Sequence, residues 1–541
     1  MLSASLRRSA IRLNRLSTRI TTPRLTIPNR CLATEASQTI TGRTKRAPPI
    51  AKKEGSIENV FATLSGGSLK DKLPERFIEV KQSIVQSQAH GEAIKVAWKE
   101  ILESLKSETS EIEERGASLI PQVQYPGDEI VDKHSLEEWM GKETIEKIKR
   151  RGSVIIKGVV STSKALQWKQ DILDYVKLNP QTKGFPEKDP MVYELYWSKA
   201  QLEARGNPSL LRASRSILAL FHAPGQKDGK MIEAASLQNV VSYCDRLRIR
   251  KSGDIAFALG PHIDGGGVER WEDPSFRSIW QAILQPNKEG KIQWKTHDSW
   301  SLGQEGQRLT AQTSMYDGAG ACSVFRPLQG WLSMSSTGAN EGTLRVLPIL
   351  QSASAYIILK PFFRSIKSRK ECKDQDEFLD SANWQFDLSD GQFDGCVSLG
   401  RNIELDTETH PHLKLDKTMT SIPRVEPGDM ALWHCDQVHA VESKHEGLPG
   451  QDSSVLYIPA IPLTHQNFEY LSFQRQSFQQ GIPPPDFPGG EGESKHIGRG
   501  TPENITDIVA RRAMGLEPFE IRSDMSAAER RLIEECNAQL A

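Results

Sequence analysis

Cysteine is sparse and scattered in this chain. The seven residues, Cys31, Cys244, Cys322, Cys372, Cys396, Cys435 and Cys536, form no CxxC pair. An odd number spread over 541 residues argues for reduced thiols and against a disulfide framework. No window approaches the roughly 18 consecutive apolar residues of a membrane-spanning helix, so no integral membrane segment is expected. Neither charge sign dominates, with 69 basic and 69 acidic residues. That balance gives no basic footprint of the kind nucleic acid requires. There is no internal repeat, no coiled-coil heptad, no GK[ST] after a glycine-rich loop and no HExxH. What remains, at 37% hydrophobic and 26% charged residues, is the composition of a globular protein.

The N-terminus differs in kind. Residues 1–30 carry Arg7, Arg8, Arg12, Arg15, Arg19, Arg24 and Arg30, and the first acid is Glu35. Serine, threonine and leucine fill the gaps. This composition predicts a mitochondrial targeting presequence over 1–34, with maturation near Arg30 to Ala33, and a polar linker over 35–72. The alternative is a disordered basic tail on a cytoplasmic protein.

From Pro74 the pattern turns helical. Phe77, Val80 and Ile84, then Ile94, Trp98, Ile101, Leu102 and Leu105, recur at three and four. They predict a helical N-terminal extension over 73–150. "RGSVIIKGVVS" (151–161) reads as a buried strand, followed by a helix with Leu166, Trp168, Ile172 and Val176 on its apolar face. Between about 240 and 465, short β-rich runs ("DRLRIR", "GWLSMSS", "GTLRVLPI", "DMALWHC", "SSVLYIPAIP") alternate with turns and with polar inserts at 282–312 and 351–420. The expected fold is mainly β with α extensions: a double-stranded β-helix, or jelly-roll, core over 151–470. A Pro/Gly-rich segment and two C-terminal helices follow over 471–541. Thr501, Pro502 and Gly515 mark the bounds of the first helix, and a Ser526–Glu529 capping box starts the second.

The chemistry-bearing stretch is "GPHIDGGGVERWEDP" (260–274). In a strand-like segment, residues i and i+2 share a face, so His262 and Asp264 can meet one metal ion. A third ligand is sought in "EPGDMALWHCDQVHAVE" (426–442), where His434 and His439 compete. Two histidines and one carboxylate with open positions make the facial triad of non-haem Fe(II) oxygenases. The same donors also suit a zinc hydrolase. Gly265, Gly266 and Gly267 would let the backbone pass close to metal and substrate, with Arg270 and Trp271 shaping the pocket beyond them. His410 and His412 form an HxH, read as solvated surface histidines with a second metal site as the alternative.

The strand and helix over 151–176, the HxD, "GWLSMSSTGANEGTLRVLPI" and the PGD turn resemble the phytanoyl-CoA hydroxylase-like branch of Fe(II)/2-oxoglutarate oxygenases. In that branch the distal histidine falls ten residues after the Asp of the turn, and Asp429 to His439 has that spacing, which selects His439 over His434. More closely, "LRIRKSGDIAFALGPHIDGGGVERWEDP", "WHCDQVHAVE" and "VLYIPAIP" resemble the YbiU-like family of uncharacterised proteins, over roughly residues 75 to 520. The resemblance implies Fe(II) held by His262, Asp264 and His439, with 2-oxoglutarate and O₂ as cosubstrates and a small-molecule substrate hydroxylated at a C–H bond. One departure stands out. The branch places an arginine about ten residues after the distal histidine, where it pairs with the far carboxylate of 2-oxoglutarate, but "EGLPGQDSSVLYIPA" (446–460) has no basic residue. The replacement candidates are Arg345, preferred for its apolar β context, then Arg326 and Arg248, with Tyr457 as a further carboxylate contact. The missing arginine also keeps open a cupin-like hydrolase or isomerase, or a metal-binding protein without catalysis.

Overall fold

The computed structural model describes residues 73–223, 234–255, 259–316, 318 and 322–540. The expected presequence and linker lie outside the described residues. Two sheets organise the middle of the chain. The larger has eight strands in the order Gln122–Gln124, Ser153–Lys157, Met430–His434, Leu328–Ser333, Asp452–Tyr457, Leu247–Lys251, Val192–Tyr193 and Gly184–Phe185. It is mixed, because the first pair runs parallel and the remaining pairs antiparallel. The smaller sheet has five strands, Ile403–Glu404, His262–Ile263, His439–Val441, Leu344–Val346 and Thr420–Ser421, all antiparallel. Each β-rich run named from the sequence supplies one strand. The strands of the larger sheet that are buried along their length, such as Leu328–Ser333 and Met430–His434, are continuous in apolar character, as burial on both faces requires.

Helices nevertheless hold more of the described residues than strands do. The "mainly β" expectation therefore gives way to mixed sheets with helices. Part of the difference lies inside a segment expected to be a polar insert. Gln351–Leu359, "QSASAYIIL", is a helix buried from Ser352 to Leu359. A helix apolar all round belongs in a core. Its small serines and alanines allow the close approach of Gln88–Arg115, the 28-residue helix of the N-terminal extension.

That long helix starts at Ser87, whose hydroxyl accepts from the His90 N–H, and stops at Gly116 with φ of +50°. It buries Ile94, Trp98, Ile101, Leu102 and Leu105. Trp98 stacks on Phe363 at 4.2 Å and on Tyr356 at 5.2 Å between ring centroids. The preceding helix, Arg76–Ile84, buries Phe77 and Ile84. Its Lys81 reaches Asp390 at 2.7 Å, and Arg364 joins both Asp390 and Asp394. One apolar cluster runs from Phe77 and Trp98 to Ile263, Val438 and Ala440 behind the smaller sheet.

The helix after the first long strand, Thr162–Leu178, buries Trp168 and Ile172, while Leu166, expected on that face, is exposed. At the C-terminus, Thr501 and Pro502 open a short 3₁₀ turn, and the helix Ile508–Ala513 is capped separately by Asp507. Gly515 stops it at φ of +67°, and the Glu529 N–H donates to Ser526 at the start of Ala527–Leu540. The Pro/Gly-rich segment is pinned by Glu493. This buried carboxylate accepts from the Tyr196 and Trp197 N–H groups at 2.6 and 2.9 Å and from the Tyr175 hydroxyl at 3.1 Å. No helix among the described residues is long and apolar enough to cross a membrane.

Candidate metal centre

His262 and His439 are direct cross-strand partners in the smaller sheet, so their side chains leave the same face. Their ring centroids lie 4.1 Å apart. Asp264 follows the short His262–Ile263 strand and brings its carboxylate to both rings, 3.8 Å from His262 Nε2 and 3.5 Å from His439 Nε2. One ligand atom from each of the three residues lies within 4.8 Å of the others. Each imidazole is oriented from behind by a backbone carbonyl: His262 Nδ1 donates to Gly260 O at 2.7 Å, and His439 Nδ1 to Gln437 O at 3.0 Å. A carbonyl only accepts, so Nδ1 carries the proton and Nε2 presents its lone pair forward, the arrangement a metal-binding histidine uses. Burial, with the neighbouring His439, pushes His262 down to about 4, so the ring is neutral at physiological pH. For Asp264 burial acts the other way. The adjoining His439 and His262 imidazoles and the Arg326 guanidinium overcome it and hold the carboxyl well below the usual range. Asn402 Nδ2 donates to Asp264 Oδ1 at 2.7 Å. These donors fit a divalent cation.

The glycine run answers to two separate constraints. Gly265 and Gly266 have φ of +75° and +99°, which side chains rarely adopt. Gly267 lies against the Arg401 carbonyl, 2.2 Å from where a Cβ would stand. Arg401 precedes the Asn402 that holds Asp264, so the close approach fixes the ligand's support.

The other histidines fall away from this centre. His434 Nε2 is bonded to Ser299 O at 2.9 Å, and its Nδ1 accepts from the Asp436 N–H at 3.1 Å. Both nitrogens are used, and the ring stacks on Phe221. The neighbouring cluster of His434, Cys435 and Asp436 also brings donor atoms together. Its carboxylate, however, is already held by Arg270 at 2.8 Å and Arg308 at 2.9 Å. His410 and His412 are buried, not solvated as expected. His412 bonds Tyr356 and Leu379 O, and His410 bonds Thr409. The polar sequence around them misled because they pack under the buried helix Gln351–Leu359.

A cavity of about 160 Å³ opens on the three ligands. Trp331, Trp433, Tyr457 and Phe487 give it aromatic walls, and Arg246, Arg248 and Arg326 line it. Arg246 is paired with Asp245 at 3.2 Å. Arg248 is buried and has no carboxylate at ion-pair distance among the described residues. One of its terminal nitrogens reaches Gly342 O at 3.2 Å and Ser453 Oγ at 3.4 Å, and its Nε is buried without a partner. Arg345 lies elsewhere. It pairs with Ala440, one residue out of phase with His439, so it leaves the opposite face of the sheet and donates to Met419 O. The preference for Arg345 is therefore corrected in favour of the cavity arginines: alternation, not apolar context, decides the face. The expected pocket role of Trp271 is corrected as well. Trp271 is fully buried in the core and donates to Ile358 O. Arg270 does not line the main cavity and works from beneath, through its ion pair with Asp436 and a 3.1 Å bond to the Asp264 carbonyl. Sequence reasoning missed Asn402, which sits in a run with no motif.

The model of the Gig2-like family matches residues 71–516. The chain belongs to the Gig2-like family. Among relatives, the uncharacterised protein YbiU of Escherichia coli K12 is 30% identical over 386 residues, 69% of this chain and 82% of its own length. The Gig2-like fold matches the crystal structure of the GlcNAc Inducible Gene 2 protein, GIG2 (DUF1479), of Candida albicans. The TM-score is 0.73 at 29% identity, over 87% of this chain and 95% of that one. A Salmonella typhimurium LT2 protein provisionally named an oxidoreductase matches with TM-score 0.64 at 26% identity, over 82% of this chain and 99% of that one.

Proposed function

We propose that this Gig2-like protein is an Fe(II)- and 2-oxoglutarate-dependent oxygenase acting on a small molecule, built on a double-stranded β-helix. The observation that carries the reading is the convergence of His262, Asp264 and His439 on the wall of a cavity that Arg248 also lines. Two imidazoles and one carboxylate leave coordination positions open, and the bound iron would supply activation of O₂ and C–H oxidation. The protein's part is to fix the three donors through Gly260, Gln437 and Asn402, to wall off water with aromatic side chains, and to orient the cosubstrate.

Two further observations support it. Along the chain, the strands starting at Leu247, His262, Leu328 and Leu344 alternate between the two sheets, those at Ile403 and Thr420 stay in the smaller one, and those at Met430, His439 and Asp452 alternate again, a path that a jelly roll takes. Arg248 pairs with Val455 on the strand after His439. It brings to that strand the guanidinium that the segment 446–460 lacks. A buried, unpaired guanidinium is expensive unless it meets an anion, and a planar fork suits a carboxylate. This weakens the case for a hydrolase that needs no oxo acid.

The test is anaerobic addition of Fe(II) and 2-oxoglutarate to the purified chain. A visible charge-transfer band is expected, absent in His439→Ala, with uncoupled O₂ uptake and succinate release in the wild type. Arg248→Gln should weaken 2-oxoglutarate binding by at least about tenfold, the scale of a lost charge-assisted hydrogen bond, and leave metal affinity unchanged. Metal binding without a band at saturating oxo acid would discard 2-oxoglutarate as cosubstrate.

A further inference from the structure

Arg326 has no settled task in that scheme. It precedes the Leu328–Ser333 strand, and its side chain is 15% exposed. Its one ion pair with a described residue is long, 3.6 Å to Asp264 Oδ2. It donates no hydrogen bond to a described residue, and its guanidinium lies 5.5 Å from the Tyr243 ring centroid. It also stands where two cavities meet. A smaller one of about 40 Å³ shares Asp264, Cys322, Arg326 and Gln329 with the main cavity. Arg248 lines only the main one.

The charges around it change when a metal binds. Among the described residues, the carboxylate at ion-pair distance from Arg326 is that of Asp264, a candidate metal ligand, so a divalent ion at the triad would take that charge and leave the guanidinium without this partner. The other acids of the cavity wall are engaged: Asp245 with Arg246, and Asp486 with the Tyr243 hydroxyl and the Ser323 N–H, each at 3.0 Å. A largely buried cation with free N–H groups beside a metal is an oxyanion site.

We infer that Arg326 binds an oxyanion group, a carboxylate, phosphate or sulfate, presented beside the metal by a small-molecule ligand. This rests on the metal reading above. Two ligands could carry the group: the primary substrate, which would then be an anion, or the near carboxylate of the oxo acid. Arg248 differs in that its guanidinium is anchored to Gly342 and Ser453, away from Asp264.

The experiment uses the full chain loaded with Mn(II), a redox-silent ion, and follows Mn(II) affinity by electron paramagnetic resonance before any anion is added. Calorimetry then measures 2-oxoglutarate binding, and sulfate and acetate binding to the 2-oxoglutarate-saturated protein, in wild type, Arg326→Gln, Arg326→Lys and Arg248→Gln. Thermal unfolding reports whether each variant is folded. The expected result is normal Mn(II) affinity in Arg326→Gln with at least a tenfold loss of anion affinity, partly restored in Arg326→Lys. If the loss falls on sulfate or acetate with 2-oxoglutarate unchanged, the substrate is the anion. If it falls on 2-oxoglutarate, the oxo acid's near carboxylate is the ligand. Wild-type affinity for all three anions in a folded, Mn(II)-loaded Arg326→Gln overturns the inference and leaves the metal reading intact. Failure of the wild type to bind Mn(II) removes the metal reading and this inference with it.

Discussion

Arg270 and Asp436 meet in a buried ion pair at 2.8 Å that ties the loop after one pair of candidate ligands to the hairpin before the third. Arg270 also donates to the Asp264 carbonyl. Its guanidinium lies over Phe276 and Trp280 at 4.8 and 5.9 Å, so rotation away from Asp436 is blocked. Arg308 completes the cluster from the other side of the carboxylate.

Replacing Arg270 with Met should cost about 3 kcal/mol of stability, the lower end for breaking a buried pair, because Asp436 keeps Arg308. It should also weaken Mn(II) binding about 10- to 100-fold, as loss of an outer support does. Chemical denaturation and metal titration read the two effects separately. Unchanged metal affinity would reduce Arg270 to a packing residue.

The histidines make a sharper contrast. His262→Ala and His439→Ala should each abolish tight Mn(II) binding in a folded protein. His434→Ala should leave metal affinity intact and lower stability, since it empties a stacked, doubly hydrogen-bonded site. Metal titration of the three variants decides whether the spacing after Asp429 picked the right ligand.

The glycines should not be equal. Gly265→Ala meets nothing within 4 Å and suffers only its positive φ, a cost on the order of 1 kcal/mol. Gly267→Ala must displace the Arg401 carbonyl, and with it Asn402 and the Asp264 carboxylate. Its stability loss and its loss of metal affinity should both exceed those of Gly265→Ala, by thermal unfolding and metal titration.

Glu493 should make stability depend on pH. Burial outweighs the hydrogen bonds from Tyr196, Trp197 and Tyr175 and raises its carboxyl from 4.5 to about 7. Between those values the folded chain holds a proton that the unfolded chain has released. Its contribution is fully present below about 4.5 and lost as pH rises to about 7. Glu493→Gln keeps an acceptor for the two N–H groups and a donor for the Tyr175 oxygen. Denaturation curves across that range should be flatter for the variant than for the wild type.

The parts of the site legible in sequence were those set by local periodicity. His262 and Asp264 share a face by an i, i+2 relation, whereas His439 is preferred to His434 only through the turn-to-histidine spacing of the family the segment resembles. The strands carrying them follow from short β-branched runs between glycine and proline turns. Arg345 shows where that stops, because choosing a face takes the register of its partner strand, and the pairing with Ala440 is a long-range fact. Arg248 sits in a strand legible from the sequence, yet what sets it apart is that no described carboxylate lies at ion-pair distance, and absence of a partner leaves no mark in sequence. Asn402 and the buried His410 and His412 were hidden for a similar reason. Polar residues around the two histidines signalled solvent, while Tyr356 of the helix Gln351–Leu359 packs against both of them.

Trp98 is wedged between Phe363 and Tyr356, and the same apolar cluster continues to the back of the strands bearing His262 and His439. The N-terminal helices are thus one wall of the interior and not an appendage. Backbone amides of Gln88–Arg115 and of the smaller sheet should exchange with deuterated water in a single cooperative opening. A chain cut back to residue 151 would lose the far side of its own core and, with it, the rigidity on which three converging ligands depend.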